Sequence, residues 1–398
     1  MGDSITKRYG RLIRPMGGGG LESVEGAGGG EADLSDAGIR ERVSATKAEL
    51  YRIIKEHLGG SPDLYEIADK IASDGPDALK ALGAGDERAF QDKPELEAGL
   101  EAIVRTDGSR PTFMVRKGEP DRTTSPLGDW GGYLDDSSDM LRDALACVGR
   151  IDAPGLRLGW EGTGFLIQRD LILTNRHVLQ GIASQDGEGN WTLMDNATID
   201  FGHEFRAGAS ISPRRLKSLV FCGSRPIVPT LIDHSKLDLA LFELEPPADG
   251  QAPVKTLRID AAPEWAQPEQ TVYIAGYAGP PAPRAGYTPS LLEKLFQSTY
   301  GFKRLAPGVI MKSGVTSQEW TAAHDATTLG GNSGSVELVV GREHAAAGLH
   351  YGGQPGTGAE NWAHVLASVL GETDGRSGPA LREILNKRGV ALDDRIVS

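Results

Sequence analysis

From about residue 147 to residue 352 the chain is made of short apolar runs, four to six residues long, broken by Gly, Pro and Asp turns. Gly164-Phe165-Leu166-Ile167, Leu171-Ile172-Leu173, Leu239-Ala240-Leu241-Phe242, Val272-Tyr273-Ile274 and Val336-Glu337-Leu338-Val339 are examples. Many short strands at such spacing point to an all-β barrel or sandwich. Composition agrees. With 53 Gly, 23 Pro and 6% aromatic residues, the chain favours loops and strands over a helix bundle. At 398 residues and 39% hydrophobic, it can bury a core in two or three folding units.

The N-terminal third has a different texture. Residues 1–37 carry the glycine runs Gly17–Gly20 and Gly28–Gly30 and too few large apolar residues for a core, so a flexible tail is expected. Ile39, Val43, Thr46, Leu50, Ile54 and Leu58 then recur at helical spacing, and Gly59-Gly60 stops that helix. Leu64, Ile67 and Ile71 mark a second helix, begun at Ser61-Pro62-Asp63 and expected to end near Gly75-Pro76. Leu79 with Leu82, and Leu96, Leu100 with Ile103, predict two shorter helices. Residues 38–106 thus read as a small helical module, and 107–137, rich in Pro, Gly and Asp, as a linker with a strand at Thr112–Val115. Helices are predicted over 138–147 and 379–388, the latter within a C-terminal helix and tail at 373–398.

Lys plus Arg number 42 against 55 Asp plus Glu, a net charge of −13. That field repels polyanions, so nucleic acid and anionic membrane are poor partners. No apolar stretch approaches the ~18 to 20 residues of a bilayer span, and the first residues lack a secretory core, so a cytoplasmic chain is expected. Cys147 and Cys222 are too few for a disulfide framework and suit a reducing compartment.

Three short segments carry chemistry together: Leu173-Thr174-Asn175-Arg176-His177-Val178, Leu237-Asp238-Leu239-Ala240-Leu241 and Gly330-Gly331-Asn332-Ser333-Gly334-Ser335. Alone, each is ordinary strand-end or turn chemistry. In combination they supply what acyl transfer needs. A serine hydroxyl is a weak nucleophile without an adjacent base, and an imidazole base needs a carboxylate to hold its tautomer. Glycines around the serine let backbone N–H groups turn towards a developing oxyanion. The histidine comes first, the aspartate 61 residues later, and the Gly-framed serine 95 residues beyond that. Asp233 is the alternative carboxylate, and Asp238 has the better strand context.

These segments, with Gly162-Thr163-Gly164-Phe165 before them and Ala347-Gly348-Leu349-His350-Tyr351-Gly352-Gly353 after, resemble the trypsin-like peptidases of bacteria, nearest in flavour to the glutamyl endopeptidase and HtrA branch. The resemblance covers roughly residues 147–370 and implies a mainly β protease domain over 138–372: two six-stranded antiparallel barrels of the chymotrypsin kind, preceded by the α-helical module. It implies His177 as general base, Asp238 as its orienting carboxylate, Ser333 as nucleophile, and the N–H groups of Gly331 and Ser333 as the oxyanion hole. It also implies a serine endopeptidase acting on polypeptides without cofactor or metal. His350 is similar to a pocket histidine that takes acidic side chains, and Thr328 to a threonine that assists it; the equal alternative is that His350 only fills a strand.

The departures are Val178 where animal trypsins carry a cysteine, Val336 for the usual proline, and about 145 residues ahead of the domain. That extension raises the prospect of latency until it is displaced or cut, and residues 38–106 are expected to recruit a protein partner or restrain the site. A catalytically silent scaffold is one rival reading. An α/β-hydrolase is another, disfavoured by the His, Asp, Ser order and by Ser335 in place of a glycine. His203-Glu204 and His324-Asp325 resemble metal ligands in type only and form no recognised spacing.

Overall fold

The computed structural model describes residues 4–13, 32–206, 213–228, 231–247, 255–279, 294, 296–314, 320–328, 332–342, 345–353, 360–375 and 378–394. The glycine runs of the N-terminal segment lie outside these residues.

The expected flexible tail over 1–37 does not hold for its first residues. Helix α1 (Ile5–Leu12) is closed at its start by Glu87, whose carboxylate accepts the N–H groups of Ile5 and Thr6 at 3.2 and 2.7 Å. Two of the donors a helix start leaves unpaired are thereby satisfied. Ile5, Tyr9, Leu12 and Ile13 are buried against Leu79, Leu82 and Leu100. One turn-period stripe of large residues is enough to dock so short a helix on a ready surface.

Helix α2 (Asp36–His57) is capped by Ser35, and α3 (Pro62–Ala84) begins with Pro62 in its first turn. The predicted stop at Gly75-Pro76 is overruled, and Leu79 and Leu82 belong to the same helix as Ile71. A proline inside a helix costs about 3 kcal/mol. Here tertiary packing offsets it: a Cβ on Gly75 would stand 2.9 Å from Val43 of α2, so the glycine admits the neighbouring helix. Ala68, Ala78 and Leu79 are fully buried on the same face. Helices α4 (Glu87–Asp92) and α5 (Glu95–Thr106) complete the module, α4 having no apolar period in the sequence to announce it.

Residues 107–137 are not a free linker. They hold strands β1 (Phe113–Arg116) and β2 (Glu119–Asp121), helix α6 (Trp130–Asp136), and precede α7 (Ser138–Ala146). Buried Phe113, Val115, Trp130 and Leu134 join the main core, which is why this stretch packs.

The first barrel is formed by β3 (Val148–Asp152), β4 (Trp160–Gln168), β5 (Leu171–Thr174), β8 (Thr198–Asp200), β9 (Arg214–Cys222) and β10 (Ala240–Leu244), closed in the order β10-β5-β4-β3-β8-β9. Helix α8 (Arg176–Ile182) and the hairpin β6 (Ala183–Gln185) with β7 (Trp191–Leu193) interrupt it. The second barrel uses β12 (Thr271–Tyr277), β13 (Lys303–Ser313), β14 (Thr321–His324), β15 (Val336–Val339), β17 (Gly348–Gly353) and β18 (Asn361–Val365). Its order is β12-β15-β17-β18-β14-β13, and β13 pairs back onto β12 to close it. The two closed six-stranded antiparallel barrels of the chymotrypsin-like fold are therefore present, with N-terminal helices before them. Beyond them, β11 (Arg258–Asp260), β16 (Ala345–Ala346) and β19 (Leu392–Asp393) form a small parallel sheet, and the predicted C-terminal helix is Leu381–Lys387.

The early strand β1 adds to β13 through Phe113↔Leu305 and Met114↔Arg304, so the N-terminal part extends the second barrel's sheet. Phe165, Leu173 and Phe242 of the first barrel share one core with Tyr273, Tyr277 and Leu305 of the second. Among the described residues no helix is long and apolar enough to cross a membrane.

Candidate active site

Pairing register is what brings His177 to Asp238. Strands β5 and β10 run antiparallel with Thr174 opposite Ala240 and Leu173 opposite Leu241. Two residues past the end of each, that register sets Asp238 beside Arg176 and His177 in the first turn of α8. The His177 backbone N–H donates to Asp238 Oδ1 at 2.9 Å, and Nδ1 lies 2.6 Å from Oδ2. Both carboxylate oxygens thus face one residue. Asn175 donates its side-chain amide to the Asp238 carbonyl at 2.8 Å, bracing the pair. Asp233, the alternative carboxylate, accepts from the Ser235 N–H and hydroxyl and so caps its own turn.

Asp238 is 3% exposed. Burial works against its charged form, but the charge and hydrogen bonds of His177 outweigh this and hold the carboxyl below its ordinary range. Burial likewise opposes the His177 imidazolium. The Asp238 charge and hydrogen bond, with Glu161 on β4, turn the balance and raise it above 6.5. Glu161 carried no signal in the sequence. It reaches the site because β4 passes under α8.

Ser333 sits in a tight turn on the other barrel, with the Ser335 N–H donating to the Asn332 carbonyl at 3.0 Å. Its carbonyl accepts the N–H of Thr163 on β4 at 2.8 Å, and the Gly334 N–H donates to His350 at 3.0 Å. Gly334 has φ +86°, and a Cβ there would lie 2.0 Å from the Thr163 carbonyl oxygen. A side chain cannot occupy that place. Val178 and the Ser333 carbonyl both lie within 3.0 Å of the point where a Cβ on Gly162 would sit, so the serine turn stands against the residue next to His177. Among the described residues the Ser333 hydroxyl makes no hydrogen bond with His177 in this arrangement. Gly331, expected in the oxyanion hole, lies outside the described residues.

His350 is buried on β17, with Nδ1 3.2 Å from Nε2 of His324. Burial, helped by His324 and His177, pushes its ring well below 6.5, so it is neutral. Thr328 donates its hydroxyl to Asn361 Oδ1 at 2.7 Å, so a bound carboxylate would have to compete for that proton. His364 of β18, which no sequence motif marks, is fully buried and accepts the Asp238 backbone N–H at 2.9 Å through Nε2. Tyr351 stacks on it at 4.3 Å between ring centroids. Only the spatial meeting of the two barrels reveals this contact.

Asp152, Asp200 and His203 offer possible metal-ligand atoms within 4.8 Å of one another. The cation beside them is a guanidinium. Arg150 Nε donates to Asp152 at 2.6 Å and Nη2 lies 2.8 Å from His203 Nε2, so the cluster reads as an ion-pair network.

Two barrels meeting at a His–Asp pair and a glycine-framed serine turn define the class: a chymotrypsin-like peptidase. The comparisons agree. The sequence model of the trypsin-like peptidase domain matches residues 162–338. A probable serine protease of Lysobacter enzymogenes is 30% identical over 357 residues, covering 84% of this chain and 90% of the relative. The chain belongs to the trypsin-like peptidases, and its substrates are polypeptides. Similar solved structures include human heparin binding protein, at 14% identity, 60% of this chain, 95% of that chain and a TM-score of 0.39. The VesB protease of Vibrio cholerae is similar at 11% identity, 56% and 61% coverage, and a TM-score of 0.38.

Proposed function

We propose that the chain is a serine endopeptidase in which Ser333, His177 and Asp238 act as one unit. Ser333 Oγ attacks the carbonyl carbon of the scissile peptide while His177 Nε2 takes the hydroxyl proton. The N–H groups of Gly331 and Ser333 receive the oxyanion. The imidazolium then gives its proton to the leaving amine, and an ester to Ser333 remains. Water, deprotonated by His177, attacks the ester, the new carboxyl product departs, and the proton returns to Ser333. Asp238 keeps its charge throughout and stabilises the imidazolium.

The observation that carries this reading is the double contact of His177, by N–H and Nδ1, with the two oxygens of Asp238. Fluorophosphonate labelling tests it. The parent should be modified at Ser333 and Ser333→Ala should not. A peptide library digested by the parent and left intact by Ser333→Ala would show proteolysis; an unlabelled, inactive parent would favour a silent partner-binding scaffold.

We further propose a preference for acidic side chains before the scissile bond, as in the glutamyl endopeptidase branch. If His324 Nε2–H donates to His350 Nδ1, His350 keeps an Nε2–H donor, which suits a carboxylate ligand even when the ring is neutral. His350→Ala should then depress cleavage after Glu more than after other residues; equal loss for all would reject the preference. The helical module is proposed to regulate the protease, since Arg206 reaches back to the carbonyls of Glu56 and His57 on α2 and the chain leads from the module directly into β1 on the second barrel. From its two cysteines we propose a reducing, cytoplasmic compartment.

A further inference from the structure

Arg110, outside the segment matched by the peptidase model, grips Asp325 inside it. Its Nε donates to Oδ1 at 2.7 Å and its Nη2 to Oδ2 at 2.6 Å, a bidentate pair spanning 215 residues of sequence. Arg110 is 6% exposed and Asp325 8%. The backbone is tied as well. Thr327 donates its hydroxyl to the Arg110 carbonyl at 2.9 Å, and Thr112 donates to the Thr327 carbonyl at 3.2 Å.

Both sides of this junction are braced. Arg110 Nη1 donates to the Ser109 carbonyl at 2.6 Å, and the guanidinium lies over the Trp130 ring at 5.6 Å. Asp325 Oδ1 also accepts the Val309 N–H at 2.8 Å. On the opposite side, Asn361 of β18 donates to the Ala326 carbonyl at 2.9 Å and accepts from Thr328. Residues 325–328 are therefore held between the N-terminal segment and β18, and the chain runs from there to Ser333 in five residues. A buried ion pair is a costly way to gain stability, since desolvation consumes most of the attraction. Its bidentate geometry does fix position, which an apolar contact of similar size would leave looser.

We propose that Arg110 is a positioning residue for the peptidase: by fixing Asp325 it sets the start of the segment that ends at Ser333, so the N-terminal part is a built-in activator. This rests on the serine-peptidase reading above and gives the regulation by the N-terminal part a sign. Displacing that part lowers activity instead of releasing it, contrary to the latency raised by the long extension.

The test compares full-length parent, Arg110→Ala, Arg110→Lys and Asp325→Asn by their rate of fluorophosphonate labelling at Ser333, with thermal unfolding followed in parallel. Displacement of a reacting group by about 1 Å costs roughly 100-fold, so Arg110→Ala and Asp325→Asn should label about 10- to 100-fold more slowly at temperatures where they remain folded. Arg110→Lys, which keeps the charge and loses the fork, should fall between and covers the case in which Arg110→Ala does not fold. Ethylguanidinium added to Arg110→Ala should restore labelling at a temperature well below the variant's unfolding transition, where the recovery does not come from refolding. Folded variants that label within twofold of a labelled parent overturn the positioning role alone. A parent that is neither labelled nor proteolytic overturns it together with the peptidase mechanism.

Discussion

The backbone N–H of Thr163 donates to the carbonyl of Ser333 at 2.8 Å, tying β4 of the first barrel to the serine turn of the second. The same residue accepts the Tyr277 N–H at its hydroxyl, at 2.9 Å, and the Thr174 hydroxyl at its carbonyl, at 2.6 Å. Thr174 is three residues before His177, so the two halves of the site share a single anchoring residue.

That anchor leaves no space at Gly334. Gly334→Ala would force a Cβ against the Thr163 carbonyl in a left-handed backbone, so a loss of about 2–4 kcal/mol in unfolding free energy is expected. Denaturant unfolding of the Ser333→Ala parent with and without the change measures it, and a cost under 0.5 kcal/mol would contradict the packing argument.

Asp238→Asn keeps the shape of the pair and removes the charge that favours the imidazolium. In a serine-histidine-aspartate arrangement such a change costs roughly 10,000-fold in kcat. Steady-state kinetics on a peptide substrate should show that loss with KM little altered. A fall below tenfold would remove Asp238 from the proposed chemistry.

The base must be neutral to accept a proton, so kcat/KM should rise with pH through the His177 ionisation, which lies above 6.5. The negative charge of Glu161 is one reason it lies there. Glu161→Gln withdraws support from the imidazolium, which then loses its proton more readily, and the acid limb should move to lower pH. An unmoved or upward-shifted limb would show that Glu161 does not face the ring.

Burial pushes the His364 ring down to about 4, so it stands neutral as acceptor for the Asp238 N–H. His364→Phe preserves a ring against Tyr351 and leaves that buried N–H unpaired, at a cost of about 1–3 kcal/mol. Because the folded pKa is depressed, the parent loses stability as pH falls from about 6.5 through 4, and the variant should show a shallower decline, since His324 and His350 are depressed as well. Parallel parent and variant curves over that range would refute the assignment.

Glu337 on β15 is fully buried, with neither carboxyl oxygen hydrogen-bonded among the described residues, and burial raises it to about 8. The folded protein therefore favours the protonated acid. Its stability is fully present below about 4.5 and is lost as pH rises through 8. Glu337→Gln should gain stability over the parent from pH 6 to pH 9, read as a widening difference in melting temperature. A constant difference would place the carboxyl in contact with a compensating charge.

The parts legible in the sequence were those whose physics is local. Short continuous apolar runs such as Leu171–Leu173 and Leu239–Phe242 announce strands, and the glycines around Ser333 announce a turn, in which Gly334 takes a place that no bulkier residue could. Where tertiary packing outweighed local preference, expectation and structure parted. Pro76 reads as a helix end, yet α3 runs through it because Gly75 lets α2 approach. Residues 5–13 read as tail, yet Ile5 and Tyr9 find an apolar surface and Glu87 pairs the first donors of α1.

By itself, then, the amino-acid order determined a barrel or sandwich of short strands and the identity of the groups able to carry acyl transfer, because residue type, short apolar runs and turn chemistry are written over a few neighbouring positions; the two-barrel class came from the family resemblance. Which groups meet was decided by the closing of the two barrels. His364 reaches Asp238 across 126 residues and Arg110 reaches Asp325 across 215. Contacts at such separations depend on register and on barrel-to-barrel packing, which no local pattern encodes.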